Sequence, residues 1–333
     1  MEYRELGGSG IQVSAITFGA WAIGGFMWGG SNEKEAIRAI HHAYDMGMTT
    51  IDTAPIYGMG LSEELVGQAV KGNRDRFQIF TKFGIKWNTR GDQHQFRSQK
   101  DYEELMNQVY LSARKESIMQ ECEDSLRRLG TDYIDYYQHH RPGGDVPVSE
   151  VMEALEKLKD QGKIRAAGVS NYSLEEMQDA SQSIQIEANQ LPYSMVKREI
   201  EREIIPWVVQ HHKGVIAYSP LQRGVLTGKY TPDHQLSQGD HRRDSRFFKV
   251  ENIKKINAFL SKIEPIASRH QASLAQLVLN WTIHQPGITV ALAGARNPEQ
   301  AEDNARAADI QLTTQEMNHI NTQLEKLELD MEA

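Results

Sequence analysis

Several features that would define a protein's class quickly are scarce or absent in this chain of 333 residues. There is one cysteine, Cys122, so no disulfide can form within the chain, and we expect a reduced, cytoplasmic setting. No stretch approaches the ~18 apolar residues of a membrane-spanning helix, and the first residues contain no apolar signal-peptide core. We therefore expect neither membrane insertion nor export.

Excess positive charge is also missing. The 37 Lys and Arg residues are outnumbered by 45 Asp and Glu residues, which gives a net charge of −8. Nucleic-acid binding depends on clustered basic side chains that neutralise phosphates, so no nucleic-acid partner is expected. No histidine or cysteine spacing is typical of a zinc site, and no metal is expected.

Short apolar segments alternate with amphipathic helical segments along most of the chain. We predict strands at 15–19, 49–53, 77–82, 134–139, 164–169, 185–189, 214–218 and 289–293. Most are apolar at both alternating positions, as expected of strands covered on both faces. Eight strands in this alternation predict an α/β fold, a closed (β/α)8 TIM barrel. An open doubly wound sheet is the alternative, but no G-x-G-x-x-G follows the first strand.

The segments outside the alternation predict additions to the barrel. Residues 3–6 and 11–14 flank the turn G-G-S-G and predict an N-terminal β-hairpin. The segment 313–327 predicts an extra C-terminal helix. Two connections, at about 84–115 and 230–250, are long enough to be lids or binding loops. No linker divides the chain, so we expect one domain over residues 1–333.

Pairs of polar residues predict where several helices begin. A Ser or Thr followed three residues later by Glu or Gln forms a capping box, and an Asn-Pro pair is a favourable start. Such pairs occur at Ser117–Gln120, Ser173–Glu176, Ser273–Gln276, Thr313–Glu316 and Asn297-Pro298.

Polar side chains gather at the predicted carboxyl ends of the strands. Asp52, Lys82 and His140 end or follow three of them, and Tyr57 lies in the turn after Asp52. In a barrel these ends meet on one face, where active sites are built. A free tyrosine has a pKa of about 10. A lysine beside it, held by an aspartate, should lower that pKa. This arrangement suits proton transfer to a carbonyl oxygen.

Seven motifs carry a resemblance to a known family. In this order the chain resembles an aldo-keto reductase over essentially its full length, especially bacterial members related to general stress protein 69 and potassium-channel β-subunits. The motifs are I-D-T-A-P-I-Y-G (51–58), T-K-F-G (81–84), D-Y-I-D-Y-Y-Q-H-H-R-P (132–142), G-K-I-R-A-A-G-V-S-N-Y (162–172), A-N-Q-L-P-Y (188–193), A-Y-S-P-L-Q-R-G-V-L-T-G-K-Y (217–230) and G-A-R-N-P-E-Q (294–300).

The resemblance implies catalytic roles. Tyr57 would be the proton donor, Lys82 would lower its pKa, and Asp52 would hold Lys82. His140, rather than His139, would orient the substrate oxygen as a neutral imidazole. Hydride would come from a reduced nicotinamide bound without a Rossmann domain. The substrate would be a small carbonyl or alcohol, with sugars an attractive class; the oligomeric state is not indicated.

The resemblance also implies a cofactor site. Arg296, just before a helix N-terminus, suits a 2′-phosphate, so we expect NADP(H) rather than NAD(H). Tyr218 would stack on the nicotinamide, and Arg246 would close over the cofactor. The other implied cofactor-binding residues are Trp21, Asp52, Ser170, Asn171, Gln190, Ser219, Pro220, Leu221, Gln222, Arg223, Gly224, Lys229, Gly294, Gln300, Asp303 and Asn304. The expected substrate pocket comprises Trp21, Trp28, Tyr57, Trp87 and His140.

Two other functions remain open from the sequence. One is a regulatory sensor that binds the cofactor and turns over slowly. The other is a barrel lyase that uses Lys82 as a Schiff-base nucleophile, although the adjacent Asp52 would favour the charged amine and oppose this chemistry.

Overall fold

The computed structural model describes residues 1–25, 30–87, 108–143, 146–234, 236, 242–243 and 245–331. Strands in these ranges are β1 Tyr3–Glu5, β2 Gln12–Ser14, β3 Ile16–Gly19, β4 Thr50–Asp52, β5 Gln78–Phe83, β6 Ile85–Trp87, β7 Val109–Leu111, β8 Ile134–His139, β9 Ile164–Ser170, β10 Ile186–Pro192, β11 Gly214–Tyr218 and β12 Ile288–Gly294. Helices are α1 Glu33–Asp45, α2 Leu61–Val70, α3 Lys115–Leu129, α4 Val148–Asp160, α5 Leu174–Ser183, α6 Ile204–Gln210, α7 Val250–Arg269, α8 Leu274–Ile283, α9 Pro298–Arg306 and α10 Thr314–Glu325.

Eight of the strands form a closed parallel barrel. Their order around the ring is β3-β4-β5-β8-β9-β10-β11-β12, and β12 pairs again with β3. The eight predicted strands correspond to these eight, with bounds that differ by a few residues at most. The prediction of a (β/α)8 TIM barrel is therefore confirmed. Because the strands are parallel, all of their polar carboxyl ends lie on one rim.

The inside of the barrel is filled by side chains rather than by solvent. Phe80, Tyr136 and Val290 belong to one buried cluster there. The Tyr136 hydroxyl donates to the carbonyl of Ala188 at 2.8 Å. Gly168 makes room for this ring, because a Cβ at that position would lie 1.7 Å from the hydroxyl oxygen. The packed interior closes the barrel below the active-site rim.

The N-terminal hairpin covers the opposite end. β1 and β2 pair antiparallel, as predicted. Leu6, Ile11 and Val13 from the hairpin join the cluster inside the barrel. The backbone N–H of Gly8 donates to Glu187, near the start of β10, at 2.8 Å. The hairpin is therefore a plug at the amino ends of the strands, and the carboxyl ends stay open.

The outer helices begin mostly where the sequence predicts. Capping boxes are present at Ser173, Ser273 and Thr313, and the Asn297 side chain caps α9 ahead of Pro298. The prediction at Ser117 is wrong, because α3 begins at Lys115.

The Ser117 side chain has other partners within and beside α3. Its hydroxyl lies inside the helix, where it donates to Glu121 one turn later and accepts from Lys86. No helix within the described ranges combines the length and apolar character needed to cross a membrane.

The first long connection contains a second hairpin. β6 and β7 pair antiparallel, with Lys86 opposite Tyr110, and lie beside the open rim. The residues between them include 88–107, which lie outside the described part. The second long connection contains a short 3-10 turn at Arg246–Phe248 before α7. α10 packs against α7, which confirms the extra C-terminal helix.

Candidate active site

A cavity of about 570 Å³ opens at the carboxyl rim of the barrel. Its lining includes most of the residues predicted for the site. Those present are Trp21, Asp52, Tyr57, His140, Ser170, Asn171, Gln190, Tyr218, Ser219, Pro220, Leu221, Arg223, Gly224, Lys229, Gly294, Arg296, Gln300, Asp303 and Asn304. Residues from all around the barrel are thus brought to one cleft.

Asp52, Tyr57, Lys82 and His140 lie together at one side of this cavity. The Lys82 ammonium donates to Asp52 Oδ1 and to the Thr53 carbonyl, each at 2.8 Å. The same nitrogen lies 4.9 Å from the centroid of the Tyr57 ring. The rings of Tyr57 and His140 meet edge to face, with centroids 6.0 Å apart. Lys82 itself is fully buried beneath the cavity floor.

The turn that carries Tyr57 is held by close backbone packing. Gly58 adopts a positive φ of 67°, and a Cβ there would lie 2.2 Å from the carbonyl oxygen of Gly24. The Tyr57 carbonyl accepts from the backbone N–H of Ser62 at the start of α2, at 3.1 Å. Glycine at both contact points lets the two backbones touch, which fixes the phenol at the rim.

Asp52 is held by more than its lysine. Its Oδ2 accepts from Gln190 Nε2 at 2.7 Å and from Gln138 Nε2 at 3.3 Å. A buried carboxylate needs a paired charge and hydrogen-bond donors to be stable, and Asp52 has both. Gln138 was not predicted, although it lies on β8 and precedes His140 by two residues.

The predicted effect on the pKa of Tyr57 is not what the structure gives. Burial raises the pKa of Tyr57 well above its ordinary value of 10.0, and the Asp52 carboxylate raises it further. The lysine does not reverse this because its charge is already balanced by Asp52 at 2.8 Å. The phenol is consequently protonated at neutral pH.

His140 is a neutral imidazole at neutral pH. Burial lowers its pKa well below the ordinary 6.5, and the positive charges of Lys82 and Arg141 lower it further. Burial also lowers the pKa of its neighbour His139 to about 4. His139 faces away from the cavity, where it stacks on Phe83 and bonds to the Tyr172 hydroxyl at 2.8 Å.

The next group of predicted residues forms its own network on the wall beyond His140. Asn171 Nδ2 donates to the Ser170 hydroxyl and to the His140 carbonyl, both at 3.0 Å. The Tyr218 hydroxyl donates to Asn171 Oδ1 at 2.9 Å. These contacts link the ends of β8, β9 and β11 into one polar surface.

The loop after β11 has an unusual backbone. Ser219, Gln222 and Arg223 have φ values of 55°, 46° and 56°, and Gly224 has 99°. The N–H groups of Gln222 and Gly224 donate to the carbonyls of Ser219 and Leu221, at 2.8 and 2.9 Å, so this loop forms two successive tight turns. Gln222 departs from the prediction, because its side chain is buried and accepts from Ser194 rather than lining the cavity.

The far end of the cavity is formed at the N-terminus of α9. The backbone N–H of Arg296 donates to Gln300 Oε1 at 2.9 Å, and Asn297 caps the helix. Asn304 donates to the Gly294 carbonyl at 3.0 Å. A helix N-terminus with an arginine beside it favours a phosphate group.

Sequence comparison decides the family. The sequence profile described as "Aldo/keto reductase family" matches residues 15–325. The chain belongs to the aldo/keto reductase family. The resemblance seen in the motifs is confirmed, and the protein is an oxidoreductase of this family.

Two relatives cover nearly all of this aldo/keto reductase. Aldo-keto reductase YhdN of Bacillus subtilis (strain 168) is 38% identical over 328 residues, which is 98% of this chain and 94% of the relative. NADH-specific methylglyoxal reductase of Escherichia coli (strain K12) is 35% identical over 334 residues, 98% of this chain and 100% of the relative.

Solved structures agree with this assignment. The glycerol dehydrogenase AKR11B4 from Gluconobacter oxydans superposes with a TM-score of 0.87 at 33% identity, covering 99% of this chain and 98% of that one. An aldo-keto reductase from Klebsiella pneumoniae in complex with NADPH has a TM-score of 0.73 at 31% identity, covering 99% and 100%.

Besides Gln222, two predicted contacts of this aldo/keto reductase, Arg246 and Trp87, are not among the described residues that line the cavity. Arg246 does not line it, because its guanidinium donates to the Met331 carbonyl at 2.6 Å. Trp87 lies on β6 outside the lining residues. Trp28 lies outside the described residues. The side of the cavity that Arg246 was expected to close carries Arg242, which bonds to the Tyr230 hydroxyl.

Several lining residues of the aldo/keto reductase were missed. Ile85, Arg141, Tyr230 and Arg242 all line the cavity. Arg141 directly follows His140 in the motif 132–142, and Tyr230 ends the motif 217–230, so both belong to segments that carry the family resemblance. For Arg141, its position just after the end of β8 was the available signal.

The geometry also bears on the lyase alternative. Lys82 donates to a carboxylate and to a carbonyl oxygen, which suits an ammonium group rather than the neutral amine that a Schiff base requires. Among the residues in the described ranges, no group of three His, Cys, Asp or Glu side chains is arranged to hold a metal ion.

Proposed function

We propose that this chain is an NADP(H)-dependent reductase of aldehydes or ketones in which Tyr57 donates the proton. The observation that carries the proposal is the convergence of four side chains at one side of the cavity. Lys82 is bonded to Asp52 at 2.8 Å and lies 4.9 Å from the Tyr57 ring, which in turn meets His140. A buried cation beside a protonated phenol is the arrangement that proton transfer to a carbonyl oxygen requires.

The cavity fits a nicotinamide dinucleotide. Its volume of about 570 Å³ lies within the range of small-molecule and cofactor sites. Arg223 and Lys229, from the chain after β11, offer positive charges to a pyrophosphate, and Arg296, just before α9, offers a guanidinium to a further phosphate. The amide side chains of Asn171 and Gln190 would meet the nicotinamide end.

In the proposed mechanism the protein positions and protonates the carbonyl oxygen. A bound reduced nicotinamide supplies the hydride. His140, as a neutral imidazole, donates a hydrogen bond to the substrate oxygen and orients it next to Tyr57. Tyr57 gives its proton to that oxygen, and the Lys82 ammonium beside the ring offsets part of the negative charge left on the phenolate, although Asp52 balances much of the lysine's own charge. Asp52, fixed by Gln190 and Gln138, keeps Lys82 in place and charged.

The experiment that tests the proposal is a panel of carbonyl compounds that includes sugars and methylglyoxal. Loss of reduced-nicotinamide absorbance is measured with NADPH and, separately, with NADH. We expect the reduced nicotinamide to be oxidised in the presence of at least one class of aldehyde or ketone. We also expect kcat/KM to be higher with NADPH than with NADH. If NADPH binds but no compound on the panel is reduced, the chain is a cofactor-binding sensor and the proposal is wrong.

Cofactor preference gives a separate prediction at Arg296. Removing a guanidinium that binds the 2′-phosphate in Arg296→Leu should cost one charge-assisted interaction. We expect the ratio of kcat/KM for NADPH over NADH to fall about 10- to 100-fold.

Arg306→Leu provides the matched control for this measurement. Arg306 ends α9, the helix that Arg296 precedes, but it pairs with Glu302 at the surface. The control should leave the ratio unchanged. A preference for NADH in the unaltered protein, as the name of the E. coli relative states for that enzyme, would contradict the assignment of Arg296.

A further inference from the structure

The charge inside the cavity is opposite to that of the chain. Although the protein carries −8 overall, the described lining includes five basic side chains and only two aspartates. Asp52 is neutralised by Lys82, and Asp303 accepts from Gln276 at the far end. The basic residues are Arg141, Arg223, Lys229, Arg242 and Arg296. An anionic ligand would therefore be favoured throughout the cleft.

Four of these cations lie on the cofactor side. Arg223, Lys229 and Arg242 come from the chain after β11, and Arg296 follows β12. Arg141 follows β8, which is four strands away from β12 in both directions around the ring of eight. It stands across the cavity from Arg296, next to Tyr57 and His140. The phosphates of a dinucleotide account for the first four cations but not for Arg141.

The backbone around Arg141 is held rigidly. The N–H of His140 donates to the Phe83 carbonyl, and the His140 carbonyl accepts from Asn171, both at 3.0 Å. Pro142 follows and restricts the backbone on the other side. Because its main chain is fixed, the Arg141 side chain has a limited region of the cavity that it can reach.

The guanidinium of Arg141 is available for a ligand. Its side chain is exposed, and among the residues that the structure describes none is a hydrogen-bond or ion-pair partner. Its positive charge adds to the lowering of the pKa of His140 that burial causes, and it opposes the rise that burial causes in the pKa of Tyr218, so it lies within electrostatic reach of the reacting end. Trp21 and Ile85 give that end apolar walls for a carbon skeleton.

We propose that Arg141 binds an anionic group of the substrate, a carboxylate or a phosphate, and so selects carbonyl compounds that carry negative charge. The inference rests on the proposed reductase activity and names its substrate class. A planar guanidinium pairs with either group through two parallel hydrogen bonds. The neutral phenol and imidazole beside it leave Arg141 as the uncompensated charge among the described residues at this end of the cavity.

The test uses two matched pairs of substrates that differ in charge. 4-Oxobutanoate is compared with its methyl ester, and glyceraldehyde 3-phosphate is compared with glyceraldehyde. For each pair the ratio of kcat/KM, anionic over neutral, is measured in the unaltered protein, Arg141→Gln, Arg141→Lys and Arg127→Gln. Arg127 is exposed on α3 and pairs with Asp124, so it controls for the loss of one positive charge.

We expect the unaltered protein to prefer the anionic member of at least one pair. Arg141→Gln should lower that ratio about 10- to 100-fold, mainly through KM for the anionic substrate. Arg141→Lys should restore part of it, since a lysine supplies the charge without the planar fork. Arg127→Gln should leave the ratio unchanged. The pair with the larger effect identifies carboxylate or phosphate as the recognised group.

The contradicting outcomes are distinct. Reduction of neutral aldehydes with no preference for either anionic partner would overturn this inference and leave the reductase assignment intact. An equal loss on both members of a pair in Arg141→Gln would also overturn it, because Arg141 would then serve the fold or the cofactor. Failure of every carbonyl with NADPH would overturn both assignments.

Discussion

Tyr57→Phe is expected to lower kcat by about 10²- to 10⁴-fold while leaving NADPH affinity within a few-fold of the unaltered protein. The substitution removes only the hydroxyl, so the ring still packs against Trp21 and His140. The proton donor would be lost, but the surfaces proposed to hold the cofactor lie elsewhere, after β9 to β12. Steady-state kinetics with an aldehyde that the protein reduces measure the effect on kcat. Fluorescence titration with NADPH measures the effect on cofactor affinity.

Tyr218→Phe is the matched control for this substitution. Tyr218 also lines the cavity and loses one hydroxyl, which donates to Asn171 in the structure. We expect its effect on kcat to be much smaller than that of Tyr57→Phe, because its hydroxyl bonds to Asn171 and is not the proposed proton donor. Equal effects of the two substitutions would contradict the role assigned to Tyr57.

Lys82→Met is expected to lower the free energy of unfolding by about 3–5 kcal/mol and to reduce kcat strongly. Lys82 and Asp52 are 0% and 2% exposed, so removing the ammonium leaves a buried carboxylate without its counter-charge. Methionine retains most of the side-chain volume, and the loss is therefore electrostatic rather than steric. Urea denaturation followed by circular dichroism measures the change.

Two further variants distinguish the loss of the buried ion pair from a nonspecific loss of stability. Lys254→Met removes a lysine from the exposed pair with Glu251 and should change stability by less than about 1 kcal/mol. Lys82→Met combined with Asp52→Asn should cost less than the sum of the single changes, since the unpaired charge is gone. Additive losses would show that the two groups do not act as a pair.

The fold could be predicted largely because its signals are local. Alternating apolar segments indicate eight strands, and polar caps at Ser173, Ser273 and Thr313 indicate where helices begin. The cap at Ser117 failed because a side chain from another element, Lys86 on β6, competes for the hydroxyl. Such a competition depends on tertiary contacts that a capping pattern does not contain.

The candidate site could be predicted only as far as strand ends indicate it. Position along the chain places Asp52 and Lys82 at neighbouring strand ends, and their pairing follows from the barrel. Position along the chain does not give the direction of a side chain on an irregular loop. Gln222 and Arg246 were therefore assigned to the cavity, and Arg242 was missed. The pKa of Tyr57 depends on burial and on the balance between two opposite charges, which requires coordinates.

The most direct test of the proposed proton transfer is a single turnover of the protein saturated with NADPH. The complex is mixed rapidly with an excess of an aldehyde that the panel identifies, and NADPH fluorescence is followed in the unaltered protein and in Tyr57→Phe. We predict a fast decay in the unaltered protein and a decay about 10²- to 10⁴-fold slower in Tyr57→Phe. Decay at the same rate in both proteins would contradict proton donation by Tyr57, whatever the steady-state rates.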